Sequence, residues 1–67
     1  MAHYGVSFHY YNETLACEWV EADSIAEAIA AVCLQHPSYA ELCETPHRKD
    51  EDVYPYSMQA KRYPQPL

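Results

Sequence analysis

Lysine and arginine are absent from residues 1–47, although this stretch carries seven acidic side chains. All four basic side chains lie in the last twenty residues, and the formal net charge of the chain is −6 at pH 7. A protein surface of this sign repels phosphate groups and attracts basic groups. The imbalance therefore argues against direct binding of nucleic acid and favours a basic protein surface as the partner.

Glycine and long apolar runs are also scarce. The chain has one glycine, and no apolar run approaches the ~20 residues that a transmembrane helix needs. The N-terminus lacks the basic and apolar regions of a secretory signal. Hydrophobic residues make up 49% of the chain, too many for a disordered tail. We expect one domain over residues 1–67, not bound to a membrane, with a frayed tail at 64–67.

The three cysteines are an odd number without a dense disulfide framework, which is typical of a reducing compartment and predicts a cytoplasmic protein. Thiol catalysis requires an electropositive setting that favours the thiolate. Cys17 and Cys33 occupy predicted core positions, and Cys43 is next to Glu44, so none has that setting. A chain this short also has little room for a substrate pocket. We predict that the protein is not an enzyme and uses no cofactor.

Two Cys/His pairs, Cys33-x2-His36 and Cys43-x3-His47, have spacings that zinc accepts in structural sites. However, Cys33 lies on the apolar stripe of a predicted helix, where a free thiol behaves as a small hydrophobic group. Only six residues separate the pairs, and they match no zinc signature. We predict no metal site, and a zinc-stabilised regulatory module is kept as an alternative.

Residues 3–11 alternate between apolar and polar side chains, which predicts a strand whose inward residues are Tyr4, Val6, Phe8 and Tyr10. A two-residue turn at Asn12-Glu13 would place a second strand opposite it. In that register the inward residues of the second strand are Leu15, Cys17 and Trp19. The opposite, uncovered face then carries His3, Ser7, His9, Tyr11, Thr14, Ala16, Glu18 and Val20.

The period then changes to about 3.6, which indicates a helix. Ser24 and Glu27 form a capping box at its start, and Pro37 ends it. Its apolar stripe comprises Ile25, Ile29, Val32, Cys33 and His36, with Ala28 beside it. A second box, Ser38-x-x-Glu41, predicts one short helical turn.

The segment 53–63 alternates again, with Tyr54, Tyr56, Met58 and Ala60 on one side, and Pro55 predicts an edge strand. The predicted fold class is α+β, of ββαβ type. It consists of an antiparallel hairpin, one main helix on one sheet face, a short helical turn and a third edge strand. A right-handed crossover would give the sheet order 2-1-3, with the third strand parallel to the second.

Seven tyrosines are many for a chain of this length. Tyr11, Tyr39 and Tyr63 are not assigned to the interior by any pattern, and tyrosine is enriched at protein interfaces. We therefore expect the partner-binding residues to be acidic side chains that supply the field and tyrosines that supply contact area. The expected set is Glu18, Glu21, Asp23, Glu27, Glu41 and Glu44, with Tyr11 and Tyr39.

The segment LACEWVEADSIAEAIAAV resembles the strand-to-helix junction of very small phage and mobile-element proteins, some of which are acidic inhibitors of bacterial defence, including anti-CRISPR proteins. The resemblance covers about residues 3–32. It implies a phage-type inhibitor in the host cytoplasm that blocks a basic, nucleic-acid-binding surface of a bacterial complex. The alternative is a small structural module that forms a homodimer through its uncovered sheet face or its edge strand.

Overall fold

A computed structural model describes residues 1–64 of the chain. Five elements follow one another: β1 (Ala2–Tyr10), β2 (Glu13–Ala22), α1 (Ile25–Gln35), α2 (Pro37–Cys43) and β3 (Tyr56–Tyr63). The predicted α+β class and element order are confirmed. Of the predicted tail, residues 65–67 lie outside the described residues. Neither helix in the described part is long and apolar enough to cross a membrane.

The three strands form one sheet in the order β2-β1-β3, and β1 is antiparallel to both of its neighbours. The two edge strands are therefore parallel to each other, as predicted from the crossover. The helices pack on one face of this sheet.

The register of the hairpin differs from the prediction. Tyr10 pairs with Glu13, so the turn is Tyr11-Asn12, and Tyr11 adopts a φ of 53°. The register then shifts by one residue between His9 and Phe8, because Phe8 pairs with Ala16 and leaves Leu15 without a partner. A one-residue shift moves every following side chain to the other face of the strand.

The predicted burial of β2 is therefore wrong. Trp19 is 65% exposed and Leu15 50% exposed, and Cys17 is exposed as well. The helix side of β2 is formed by residues that were assigned to the uncovered face: Ala16, Glu18 and Val20, followed by Ala22. The small side chains of Ala22 and Ala28, both buried, allow α1 to approach β2 closely.

The core lies between α1 and the central strand. Tyr4, Val6 and Phe8 of β1 are buried as predicted, and Val32 of α1 is 1% exposed. On β3 the predicted inward set is confirmed for Tyr56, Met58 and Ala60, which are half-buried and pair with the inward residues of β1. Tyr54 is the exception, because it precedes the strand and is 51% exposed.

The capping box that was predicted at α1 is confirmed. The Ser24 hydroxyl accepts a hydrogen bond from the Glu27 N–H at 3.1 Å, and the Glu27 carboxylate accepts one from the Asp23 N–H at 3.1 Å. The second box is wrong, because α2 begins at Pro37 and Ser38 lies inside the helix without a capping bond. Proline is favoured at the first helical position, since its missing N–H would have no partner there.

Candidate interaction surfaces

Three of the predicted partner-binding carboxylates gather where β2 leads into α1. Glu21, Asp23 and Glu27 are all exposed, and we call them the acidic junction. Asp23 Oδ1 lies 3.9 Å from the N-terminal ammonium, in a solvated pair that contributes little to stability. No lysine or arginine occurs from Glu13 to Gln35, so β2 and α1 supply no basic side chain to neutralise the junction.

Glu18 does not belong to this surface. It lies on the helix side of β2, where its Oε1 is 3.1 Å from Nε2 of His36, at the C-terminal end of α1. The two side chains are each 37% exposed. Glu18 therefore connects β2 to the end of the helix, and its predicted place on the uncovered face is wrong.

Tyr39 is engaged inside the fold as well. Its ring stacks on Phe8, with the ring centroids 4.2 Å apart and an interplanar angle of 5°. It also stacks on the ring of His36, with the centroids 4.7 Å apart. The proximity of Phe8 makes Tyr39 an extension of the core, and the ring is half-buried. Tyr11, by contrast, is 50% exposed at the hairpin turn.

Glu41 and Glu44 are exposed at α2, which follows the C-terminal end of α1. They are therefore separated in the chain from the acidic junction by the whole of α1, which is roughly 16 Å long. The predicted residues thus fall into an exposed group at the junction, an exposed pair at α2, the exposed Tyr11, and two residues engaged internally.

No element within residues 1–64 covers the sheet face opposite the helices, and we call this face the open face. Cross-strand rows on this face, read from β2 through β1 to β3, are Glu21–His3–Tyr63, Trp19–Gly5–Lys61 and Cys17–Ser7–Gln59. Tyr63 was left outside the interior by the sequence pattern, but Trp19 was assigned to the core, so their pairing on one face was not predicted. The chain's only glycine was the available signal, since a glycine within a strand often marks a close approach over the backbone.

Trp19 and Tyr63 meet above Gly5. Their ring centroids are 4.9 Å apart at an interplanar angle of 66°, in an edge-to-face contact. A Cβ atom on Gly5 would lie 3.0 Å from Tyr63 Cε2 and 3.5 Å from Trp19 Cζ3. The Tyr63 ring would have to move by a few tenths of an ångström to admit that Cβ, whereas glycine lets the ring lie directly over the central strand. We call the pair the aromatic ridge.

Hollows lie on both sides of the aromatic ridge. One, of about 390 Å³, is lined by His3, Trp19, Tyr63 and Pro64. The other, of about 220 Å³, extends from the ridge toward Ser7 and Lys61. The Lys61 ammonium lies 5.6 Å from the centroid of the Tyr63 ring, within the range of a cation–π contact.

A chain of hydrogen bonds crosses the same face. His9 Nε2 is 2.8 Å from Ser7 Oγ, and His9 Nδ1 is 3.3 Å from Thr14 Oγ1. A serine next to an imidazole is the start of a nucleophilic site, but the third member here is a hydroxyl. It has no charge to stabilise the imidazolium that forms during catalysis. The arrangement orders the face without supplying a complete triad.

The cysteines are free thiols in three different settings. Cys33 Sγ donates to Met58 Sδ at 3.8 Å, and Cys17 is exposed on the open face. The pKa of the Cys43 thiol is raised, first by burial and then by the neighbouring Cys33 and Glu44. A raised pKa keeps the thiol protonated and weakly nucleophilic.

The four residues of the zinc alternative do not form a ligand set. His36 is hydrogen-bonded to Glu18, and the rings of His47 and Tyr11 lie in an edge-to-face arrangement with their centroids 6.4 Å apart. Among residues 1–64 there is no group of three or more histidine, cysteine or acidic side chains placed to hold a metal ion.

Two surfaces of the described residues combine several exposed groups: the acidic junction, with three carboxylates, and the open face, with the aromatic ridge. Function has to be inferred from their chemistry. The chain matches no protein-family model, no curated protein and no solved structure.

Proposed function

We propose that this protein is a non-enzymatic protein-interaction module that binds a basic surface of a bacterial partner. It would act as a phage-type inhibitor by occupying a surface that otherwise holds nucleic acid. The observation that carries the proposal is the acidic junction, where Glu21, Asp23 and Glu27 are exposed together in a stretch without lysine or arginine. A basic surface built to hold phosphates has the complementary charge.

The contribution of these carboxylates is electrostatic steering and specificity. A single exposed ion pair is worth about 0–1 kcal/mol, so three of them do not give tight binding alone. They do raise the rate of encounter with a basic surface and orient the complex, and both effects weaken as salt rises. Contact area must come from neighbouring groups, and Tyr11 and the open face offer exposed aromatic rings.

Two further observations support a binding role in a reducing compartment. All three cysteines are free, which suits the cytoplasm of a host cell. The pKa of Cys43 is shifted upward, opposite to the direction that activates a nucleophilic thiol. We accordingly infer that the protein acts in the host cytoplasm by occupancy rather than by turnover.

The test compares two variants of equal charge. The first, Glu21→Gln/Asp23→Asn/Glu27→Gln, neutralises the acidic junction while keeping the cap, because glutamine also serves at that position. The second, Asp50→Asn/Glu51→Gln/Asp52→Asn, neutralises three acids of the loop before β3. Each raises the formal net charge from −6 to −3. Both are immobilised beside the unaltered protein, exposed to bacterial lysate at low salt, and washed with about 0.5 M NaCl.

We expect a captured protein that is retained by the unaltered protein and by the loop variant, is lost from the junction variant, and is released by salt. A nucleic acid added as competitor should also displace it. Capture that is equal for all three baits, or that persists in salt and competitor, would contradict the proposal.

A further inference from the structure

The aromatic ridge and its two hollows have a shape and chemistry that the acidic junction does not explain. Trp19 is the only tryptophan of the chain and remains 65% exposed, whereas Tyr63 is 39% exposed. Large aromatic side chains have few rotatable bonds and a large apolar area, which makes them effective contact sites. An exposed apolar ridge with hollows on both sides is suited to an extended ligand that crosses it.

Proline-rich segments are one class of ligand that aromatic-lined grooves bind. A polyproline II helix has three residues per turn and rises about 3.1 Å per residue, so residues i and i+3 lie on the same side, roughly 9 Å apart. Two prolines can then enter hollows on opposite sides of a ridge. Their rings are apolar, and the segment is already extended before it binds, which lowers the entropic cost. Pro64 itself forms one wall of the larger hollow, beside Trp19 and Tyr63.

The charge around the ridge adds a second requirement. Glu21 belongs to both the acidic junction and the open face, where it lies in the row of His3 and Tyr63. A ligand that crosses the ridge therefore meets the junction at the β2 side. With a net charge of −6 on the protein, lysine or arginine beside the prolines is favoured there.

We propose that the aromatic ridge binds a proline-rich, basic segment of the partner in polyproline II conformation. This inference rests on the proposed function and specifies which part of the partner is bound.

Single-stranded nucleic acid fits less well, because Lys61 is the one lysine or arginine in the three rows of the face that surround the ridge. A second copy fits less well too. Three strands of this length present roughly 400 Å², about half of what one partner buries in a stable dimer, and two copies repel each other.

The test uses the fluorescence of Trp19. A synthetic peptide of repeated Arg-Pro-Pro triplets is titrated into the full chain, beside peptides of Arg-Ala-Ala and Glu-Pro-Pro triplets of equal length. We expect saturable change of the emission with Arg-Pro-Pro, and affinities lower by about tenfold or more for both other peptides. A single-stranded oligonucleotide and serial dilution of the protein alone test the other two occupants.

The matched variants are Tyr63→Ala, which removes half of the ridge and keeps the reporter, and Tyr54→Ala, which removes an equally large exposed ring away from the sheet. Circular dichroism verifies that both fold. We expect Tyr63→Ala to lose about tenfold in affinity for the Arg-Pro-Pro peptide and Tyr54→Ala to retain it. If Tyr63→Ala does not fold, Trp19→Phe followed by nuclear magnetic resonance supplies the same comparison, again with a loss expected.

Several outcomes would overturn the inference: equal binding of the Arg-Ala-Ala peptide, no change of emission at millimolar peptide, stronger saturable binding of the oligonucleotide, or an emission that changes on dilution alone. Failure here is distinguishable from failure of the proposed function. If salt-sensitive capture through the acidic junction persists while the peptide does not bind, only this inference fails. If the peptide binds while neutralising the junction changes no capture, the proposed function fails.

Discussion

Val6 on β1 and Val32 on α1 meet across the core, and each is 1% exposed. Replacing either with alanine removes two buried methyl-sized groups and leaves a void, which should lower the free energy of unfolding by about 2 kcal/mol. Val53→Ala, at a site that is 44% exposed, is the control and should change it by less than about 0.5 kcal/mol. Urea denaturation followed by circular dichroism measures all three, and equal losses would contradict the assigned core.

The three thiols offer a second prediction at the scale of single residues. Cys17 is exposed, whereas the pKa of Cys43 is raised by burial and by Cys33 and Glu44, so less of it is thiolate at any pH below that pKa. Brief alkylation at about pH 8, read by peptide mass spectrometry, should modify Cys17 first and Cys43 at least several-fold more slowly. In urea the difference should disappear. Faster modification of Cys43 in the folded protein would show that its surroundings are wrongly described.

At the scale of elements, the two serines that precede glutamates by three residues provide a matched pair. Ser24→Ala removes the hydroxyl that caps α1 and should lower the free energy of unfolding by about 1 kcal/mol. Ser38→Ala lies inside α2, makes no capping bond, and should be neutral or slightly stabilising because alanine is the better helix former. Denaturation curves of the two variants decide the matter, and a larger loss for Ser38→Ala would reverse the assignment of the caps.

The existence and order of the elements could be predicted because each depends on local chemistry: alternation in β1 and β3, the Ser24 cap and Pro37 at the end of α1. Which face of β2 packs against the helices could not be predicted. Its odd positions hold Leu15, Cys17 and Trp19, and its even positions are small or mixed, so both sets are compatible with burial. Which face of β2 is buried depends on Leu15, the one residue of the strand that is left without a partner. It also depends on the preceding turn, in which Tyr11 adopts a positive φ, a conformation that favours glycine or asparagine.

The candidate site was predictable to the same extent. Glu21, Asp23 and Glu27 are exposed as expected, since they flank a helix start that places acids in solvent. Glu18 and Tyr39 are engaged internally because the register places Glu18 beside His36 and because α2 stacks Tyr39 on Phe8. The aromatic ridge was not predicted because the predicted register of β2 placed Trp19 in the core.

At the scale of the whole molecule, both proposed binding roles depend on a sheet face that no element within residues 1–64 covers, beside an acidic edge. A chain of 67 residues has a small interior, and placing its only tryptophan outside that interior gives up roughly 2 kcal/mol of burial. The binding role that we propose for Trp19 would account for that arrangement. Trp19→Ser should therefore leave the free energy of unfolding within about 1 kcal/mol of the original while removing binding. Circular dichroism in urea measures the first quantity, and a loss of several kcal/mol would indicate that Trp19 is part of the core.

The most direct measurement is the fluorescence of Trp19 in the folded protein at low micromolar concentration, combined with quenching by acrylamide. We predict emission close to that of the urea-unfolded chain and quenching nearly as efficient, because the indole is 65% exposed on the open face. Emission shifted well to the blue and protected from acrylamide, in a protein shown to be monomeric, would contradict it, because that result would place Trp19 in the interior and remove the surface on which the proposed binding depends.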